Sequence, residues 1–475
     1  MKKEKLVESI TSREQDFAQW YTDLCLKAEL MDYSSVQGFI IYRPYGYAIW
    51  EEIQNFLNRK FKETGHDNVY FPLLIPETLF QKEKDHITGF APETAIISQV
   101  GGEKLAESLI IRPTSEVLFA EHFSRIVRSH RDLPLKYNQW CSVVRWEKTT
   151  RPFLRGKEFL WQEGHTVHAT KEEAMEETLL MLNVYEQMGR NLLAIPFVTG
   201  LKTEKEKFAG AEKTYSIEAL MHDGKALQSG TTHYFGNGFA KAFDISFQDD
   251  SNELVYAYQS SWGVSTRLIG AIIMVHGDDE GLVLPPYVAP VQVVAIPIAS
   301  QNEIVREHIK IIDNILKETD LRYLIDDSDR RPGWKFSEYE MKGIPIRIEF
   351  GPRDLENNQV TIVKRNNREK ISVKIEELGI KLPELLDLIH EEMLAKAKEH
   401  LNNNLHTAKS YLDFKELLKK GGYIKMSINQ AAEAIIKEET GATARVILEN
   451  EPLITKLCPV TNEVADYTIL FAKAY

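Results

Sequence analysis

The 475-residue chain reads as an α+β protein in three parts, and three observations carry that reading. Between residues 38 and 285, β-rich apolar runs (VYFPLLIP, SLIIRP, CSVVRWE, FLWQEGHTVHA, FAKAFDISF) alternate with helical stretches but keep no strict strand–helix–strand rhythm. That pattern predicts a mainly antiparallel sheet. LVLPPYVAP (282–290) places three prolines in nine residues and reads as a linker. Beyond it, VQVVAIPI, NEIVREHIKIIDNILKE, LRYLIDD, IPIRIEF and QVTIVKR alternate strand and helix as an α/β unit does. The divisions that follow are a first domain over 1–285, an α/β domain over 286–400 and a smaller α+β unit over 401–475.

Individual elements support these divisions. Residues 4–30 read as a helix, with charged residues spaced between Leu6, Ile10, Phe17, Trp20 and Leu24. IWEEIQNFLNRKFKETGHDNVYFPLLIP (49–76) reads as a helix followed by a strand containing Pro72. EEAMEETLLMLNVYEQMGR predicts a helix that stops at Gly189. IEELGIKLPELLDLIHEEMLAKAKEHL predicts a long Leu-rich helix closing the second part.

Composition excludes several classes. With 43% hydrophobic and 27% charged residues the chain has ample core, and no run approaches the roughly 20 apolar residues of a membrane span. The N-terminal lysines precede no apolar stretch of a secretory signal. Cys25, Cys141 and Cys458 are too few and scattered for a disulfide framework, so a reducing, cytoplasmic setting is expected. A net charge of −12 argues against a protein that coats nucleic acid. Locally the balance reverses: window 330–370 holds ten Lys/Arg against six Asp/Glu.

The densest chemistry lies in RWEKTTRPFLRGKEFLWQEGHT (145–166), where five cations and three carboxylates are interleaved with Trp146, Phe153, Phe159 and Trp161. Two strands flanking a basic loop would put Arg145 and Glu147 on one face, and Phe159, Trp161 and Glu163 on another. A guanidinium grips phosphate oxygens bidentately and a carboxylate accepts from an amine or ribose hydroxyl. With an aromatic face for a base, the set suits a nucleotide. A solvated hairpin laced with surface ion pairs, each worth about 0–1 kcal/mol, would use the same residues.

The stretch resembles motif 2 of class II aminoacyl-tRNA synthetases. Residues 49–76 resemble motif 1, whose element forms the homodimer interface in that class. SSWGVSTRLIGAIIMVHGD resembles motif 3, supplying Gly263, Ser265 and Arg267 ahead of an apolar helix. The wording of RPTSE (112–116), ALQSGTTHYFG (226–236), HGDDEGLVLPP (276–286) and PGWKFSEYEMKGIPIRIEFGPRD (332–354) is close to the prolyl-tRNA synthetase family. The likeness spans about residues 5–400 and is strongest to the archaeal/eukaryotic-like branch. Residues 164–227 leave no room for the editing domain inserted in the bacterial-type branch.

The resemblance implies a class II antiparallel-sheet catalytic domain, an α/β anticodon-binding domain and a small C-terminal domain. It implies ATP-dependent activation of L-proline and transfer to tRNA(Pro), with Mg²⁺ accompanying ATP. Thr114, Glu116, Arg145 and His233 would line the proline pocket, although Thr-Ser-Glu also suits an ordinary helix cap. ATP would meet Arg145, Glu147, Arg155, Phe159, Gln228, Thr231, Ser261 and Arg267, with Arg145 and Arg267 as the catalytic cations. Glu218 is a weaker candidate for magnesium. Trp334, Lys335, Arg347, Glu349, Phe350 and Arg353 are candidate anticodon readers. Where many relatives carry four zinc-binding cysteines, only Cys458 stands here, and one thiolate cannot close a tetrahedral site. No zinc is therefore expected, and apolar packing should hold that unit. The final AKAY resembles a family ending in which the last tyrosine reaches back to the active site; a frayed terminus is the alternative.

Overall fold

A computed structural model describes residues 10–82 and 94–475. Its main element is an eleven-stranded sheet. In spatial order the strands are Leu405–Thr407, Tyr423–Ile428, Tyr467–Ala472, Thr443–Ile447, Val198–Leu201, Lys213–Leu220, Ala226–Gly236, Tyr258–Ser265, Glu158–His168, Leu135–Val144 and Asp67–Asn68. All neighbours are antiparallel except the two end pairs. The C-terminal unit thus extends the sheet of the first part, joined to it by the pairing of Ile447 with Leu201 and by a bridge between Ala226 and Ala474.

The main core lies between this sheet and helices Phe17–Lys27, Pro44–Glu63, Lys171–Asn191 and Arg267–His276, around Trp20, Trp50 and Trp262. Each helix follows from local signals. Asp16 accepts hydrogen bonds from the N–H groups of Ala18 and Gln19, so the first described helix starts at Phe17; Leu6 lies outside the described residues. Thr170 and Glu173 form a capping box at the start of Lys171–Asn191. That helix runs two residues past Gly189, so this glycine is not a stop. A Cβ there would lie 2.4 Å from the Phe197 ring, and glycine is required for close packing instead.

The second part is a five-stranded sheet in the order Tyr323–Ile325, Val293–Pro297, Ile346–Phe350, Gln359–Lys364, Lys370–Lys374. Its first two pairings are parallel, as a strand–helix alternation requires, and the last two are antiparallel. Three sequence expectations need correction. FAKAFDISF is a helix, Gly238–Phe243, followed by a short strand, Ser246–Gln248. In VYFPLLIP only Leu74–Pro76 is a strand, since Pro72 offers no N–H to a ladder. The proline-rich segment 282–290 is no free linker: Leu282, Leu284, Val288 and Ala289 are buried in the main core, and Leu282 and Leu284 donate to Met341 and Gly343 carbonyls. Arg365 adds a bidentate pair to Asp278, both contacts 2.7 Å, across the same junction.

Candidate active site

The central strands of the large sheet floor a cavity of about 230 Å³. It is lined by Thr114, Glu116, Arg145, Phe159, Gln228, Thr231, His233, Ser261 and Arg267, together with Trp161, Glu163, His165, Glu206 and Phe208. Strand register explains the assembly: Thr231 lies opposite Gly263, His233 opposite Ser261, and Gly263 opposite Glu163, so one sheet face collects residues far apart in the chain.

At one end of the cavity sit Thr114 and Glu116, both buried, whose hydroxyl and carboxylate are hydrogen-bonded together. Ser115 precedes the helix Glu116–Ile126 but makes no side-chain cap bond. Its hydroxyl donates instead to Glu163, which also receives Gln139 Nε2 at 2.9 Å and His165 Nε2 at 3.0 Å. Burial opposes charge on Glu163, but the hydrogen bonds of His165, Ser115 and Gln139 and the His165 charge outweigh it and hold the carboxyl below its usual range. Phe119 stacks on His165 at 4.0 Å. His233 is fixed through both ring nitrogens, Nδ1 to Thr214 Oγ1 at 2.9 Å and Nε2 to Thr231 Oγ1 at 3.0 Å. Burial, helped by the His165 charge, pushes it down to about 3, so it is a neutral polar group at physiological pH.

The other end carries the cations. Arg145 Nε donates to the Pro113 carbonyl at 3.0 Å, with its guanidinium 5.3 Å and 5.5 Å from the Phe159 and Trp161 ring centres. Arg267 Nε donates to Leu154 O at 3.0 Å and Nη1 to Gln228 O at 3.1 Å. Desolvation and the nearby charges of Arg155 and Arg145 lower Arg267 to about 10, against the opposing charges of Glu147 and Glu218, so the three guanidiniums lie close enough to act on one another. Such a cluster suits a polyanion.

The loop between the motif 2 strands is not simply solvated. Phe153 and Leu154 are buried in the main core, the Tyr21 hydroxyl donates to Pro152 O at 2.7 Å, and Phe153 takes a left-handed φ of 58°. Leu154 seats on the helix Arg267–His276 because Gly270 has no Cβ, which would fall 2.4 Å from Leu154. That seating presents the Leu154 carbonyl to Arg267.

Not every expected residue meets the cavity. The strand ends at Val144, so the two-residue alternation does not extend to Arg145 and Glu147. Glu147 faces Arg155 at 3.4 Å, and exposed Arg155 lines a neighbouring cavity of about 420 Å³ together with Phe159 and residues 33–42. Glu218 is wholly buried, its oxygens taken by Lys202 at 3.0 Å and Arg445 at 2.7 Å, which leaves no position for a magnesium ion there. Sequence reasoning placed Glu163 on the Phe159 face but did not extend the alternation two residues to His165. Glu206 and Phe208 come from the loop after Val198–Leu201 and carry no such signal.

Among the anticodon candidates, Phe350 cannot stack on a base, because it is fully buried in the core of the five-stranded sheet. Lys335 is buried and held by Asp326 O and Ser328 O at 2.7 and 2.8 Å. Arg347 is paired with Glu349 and Glu340 at 2.8 and 3.0 Å. Trp334 is half-buried beneath the Arg330 guanidinium, 3.9 Å from its centre, and Arg353 is exposed. The terminal Tyr475 is ordered: its hydroxyl donates to Asp223 at 2.6 Å, and Arg151 and Lys225 lie over its ring.

Comparison with known proteins agrees with this geometry. Residues 99–276 match the tRNA synthetase class II core domain (G, H, P, S and T), 292–385 the anticodon binding domain, and 411–475 the prolyl-tRNA synthetase C-terminal domain. The chain is 59% identical to the proline--tRNA ligase of Onion yellows phytoplasma, over 100% of both chains. It is 57% identical to that of Clostridium novyi, again over 100% of both. A crystal structure of prolyl-tRNA synthetase from Cryptosporidium parvum, complexed with halofuginone and AMPPNP, superposes with a TM-score of 0.94 at 40% identity, covering 98% of this chain and 99% of that one. With three matching domains, full-length relatives and a superposable structure, the chain belongs to the prolyl-tRNA synthetase family.

Proposed function

We propose that the chain joins L-proline to tRNA(Pro) at the expense of ATP, and that one observation carries the assignment of roles: a small, partly buried pocket holding the Glu116 carboxylate also takes the guanidiniums of Arg145 and Arg267, with Arg155 close by. Glu116 would meet the prolyl secondary ammonium. Neutral His233, held by Thr214 and Thr231, offers a polar contact without adding positive charge beside that ammonium. The apolar ring of the amino acid would lie among Trp161, Phe208 and the sheet floor.

In the first step a proline carboxylate oxygen attacks the α-phosphorus of ATP in line, the bond from that phosphorus to the α,β-bridging oxygen breaks, and the β- and γ-phosphates leave as pyrophosphate. In the second, the terminal ribose hydroxyl of tRNA attacks the prolyl carbonyl, AMP leaves, and the hydroxyl proton is released. No protein nucleophile is required. The chain contributes alignment, and charge stabilisation from Arg145 on the α-phosphate side and from Arg267 and Arg155 further along the triphosphate, with Phe159 against adenine. A magnesium ion accompanying ATP would take up part of the phosphate charge that these arginines do not meet.

We also propose homodimerisation through the 49–76 element and a cytoplasmic setting; among the described residues no helix is long and apolar enough to cross a membrane. The C-terminal core, built on Phe414, Ile424, Met426, Ile436 and buried Cys458, supports the expectation of folding without zinc. Stoichiometric zinc in purified protein would overturn that. The decisive assay is amino-acid-dependent ATP–pyrophosphate exchange with proline, threonine, cysteine and alanine. Exchange with proline is expected; exchange with threonine but not proline would refute the reading.

A further inference from the structure

Three charged side chains meet where the C-terminal unit joins the catalytic sheet. Glu218 Oε2 accepts from Arg445 Nε at 3.1 Å and Nη2 at 2.7 Å, while Oε1 accepts from Lys202 Nζ and Ser216 Oγ, each at 3.0 Å. Lys202 Nζ also donates to the Arg445 carbonyl at 2.9 Å, across 243 residues of chain. Glu218 is 0% exposed and Lys202 4%. A buried ion cluster is weak evidence for stability, since well-packed apolar side chains of the same volume commonly serve as well or better. Its position offers another account.

Glu218 stands at a register shift in its strand and lies directly opposite Gln228, whose carbonyl accepts from Arg267 Nη1 at 3.1 Å. Its charge, with that of Glu147, offsets part of the desolvation of Arg267. The Lys202 N–H donates to Thr214 O at 2.7 Å, at the foot of the loop that carries Glu206 and Phe208 to the cavity. A carboxylate beneath a triphosphate-binding arginine opposes the triphosphate unless cations balance it. Lys202 alone leaves Oε2 without its two guanidinium donors.

We infer that Arg445, supplied by the C-terminal unit, is a positioning residue for ATP: by neutralising Glu218 and fixing its orientation it sets the Gln228 carbonyl and Arg267 for the triphosphate. This rests on the proposed ATP role of Arg267. It gives the C-terminal unit a part in the first chemical step, and it makes Glu218 a structural counter-charge, not a metal ligand.

The test uses the full chain, with Michaelis constants for ATP and proline measured separately by pyrophosphate exchange and melting temperature recorded alongside. Arg445→Met is expected to raise the ATP constant about tenfold while the proline constant stays within about twofold, the size of effect a buried charge coupling produces. Glu218→Gln combined with Arg445→Met removes both charges and should recover most of the loss. Equal movement of the two constants, or a double variant no better than the single, would overturn the inference. Should Arg445→Met fail to fold, Arg445→Lys is informative: keeping the charge but losing the fork should raise the ATP constant about threefold, and an unchanged value counts against the idea. Glu218→Gln alone should leave the magnesium dependence of exchange unaltered; a shift in that dependence with loss of exchange would make Glu218 a metal ligand. If Arg267→Ala retained full exchange, the underlying ATP reading would fall; Arg267→Ala inactive with Arg445→Met unchanged removes this inference alone.

Discussion

Two regions of this chain gather arginines, aromatics and carboxylates, and they use them oppositely. In the candidate active-site cavity Arg145 and Arg267 both donate to backbone carbonyls, and Arg145 also lies against the Phe159 and Trp161 rings. In window 330–370 most of the cations are paired internally. Lys335 meets Asp326, Arg347 meets Glu349 and Glu340, Lys364 meets Glu369 and Glu392, and Arg365 meets Asp278. A local excess of positive residues is therefore not a measure of available charge. What the guanidinium is bonded to decides whether it can hold an anion.

The largest expected effect sharpens that contrast. Arg145→Ala or Arg267→Ala should lower proline-dependent exchange by about 10²–10³-fold or more with the fold intact, read by exchange kinetics and circular dichroism, since preorganised charge at a phosphoryl centre contributes several kcal/mol. Near-normal exchange in both would erase the difference between the regions. The matching change on the other side is Phe350→Ala. It should cost about 3–5 kcal/mol of stability in denaturant titration, because it empties a core site. Selective loss of tRNA charging without destabilisation would restore Phe350 as a base reader. Trp334→Ala or Arg353→Ala should do the reverse, lowering aminoacylation of tRNA about tenfold while exchange is unchanged, in line with roughly 1–3 kcal/mol for a stacked base.

A smaller effect concerns pH. His233 sits at about 3, and His168, His222 and His276 at about 4, against 6.5 for a free histidine, burial being the main cause each time. Values lowered in the folded state give stability that is complete above pH 6.5 and lost as pH falls toward 4, because the unfolded chain binds the protons first. Stability measured by urea titration should decline over that window, and His276→Gln should flatten part of the decline. A stability maximum near pH 4 would contradict the assignments. Last, Gly189→Ala should cost about 1–3 kcal/mol through the contact with Phe197, read as a lowered melting temperature.

The legibility of the sequence divides along the same line. Arg145 stands out within its own stretch, whereas Thr114, Glu116 and His233 could be named in advance only because the runs that hold them resemble a known family. Tertiary packing of the sheet brings Glu163 to Ser115 and Lys202 to Arg445, and a single sequence gives no count of strands between them. The misreading of Phe350 has a specific cause. All five residues of Ile346–Phe350 are buried, so the strand is covered on both faces and alternation carries no information about which side is open. FAKAFDISF was ambiguous for a related reason, since a short apolar run suits a helix as well as a strand. The segment 282–290 shows that proline content marks where ladders end and says nothing about burial.

The pairing of Ile447 with Leu201 has a consequence for how the molecule is made. Until the last sixth or so of the chain, residues 401–475, has emerged and folded, the strand Val198–Leu201 presents open N–H and C=O groups on one side. Open strand edges are templates for pairing with other chains. Truncation within the C-terminal unit should therefore give aggregation-prone protein, not merely a slower enzyme, and sedimentation after expression of residues 1–400 would reveal it. On this view the C-terminal unit acts during biosynthesis as a seal on the catalytic sheet.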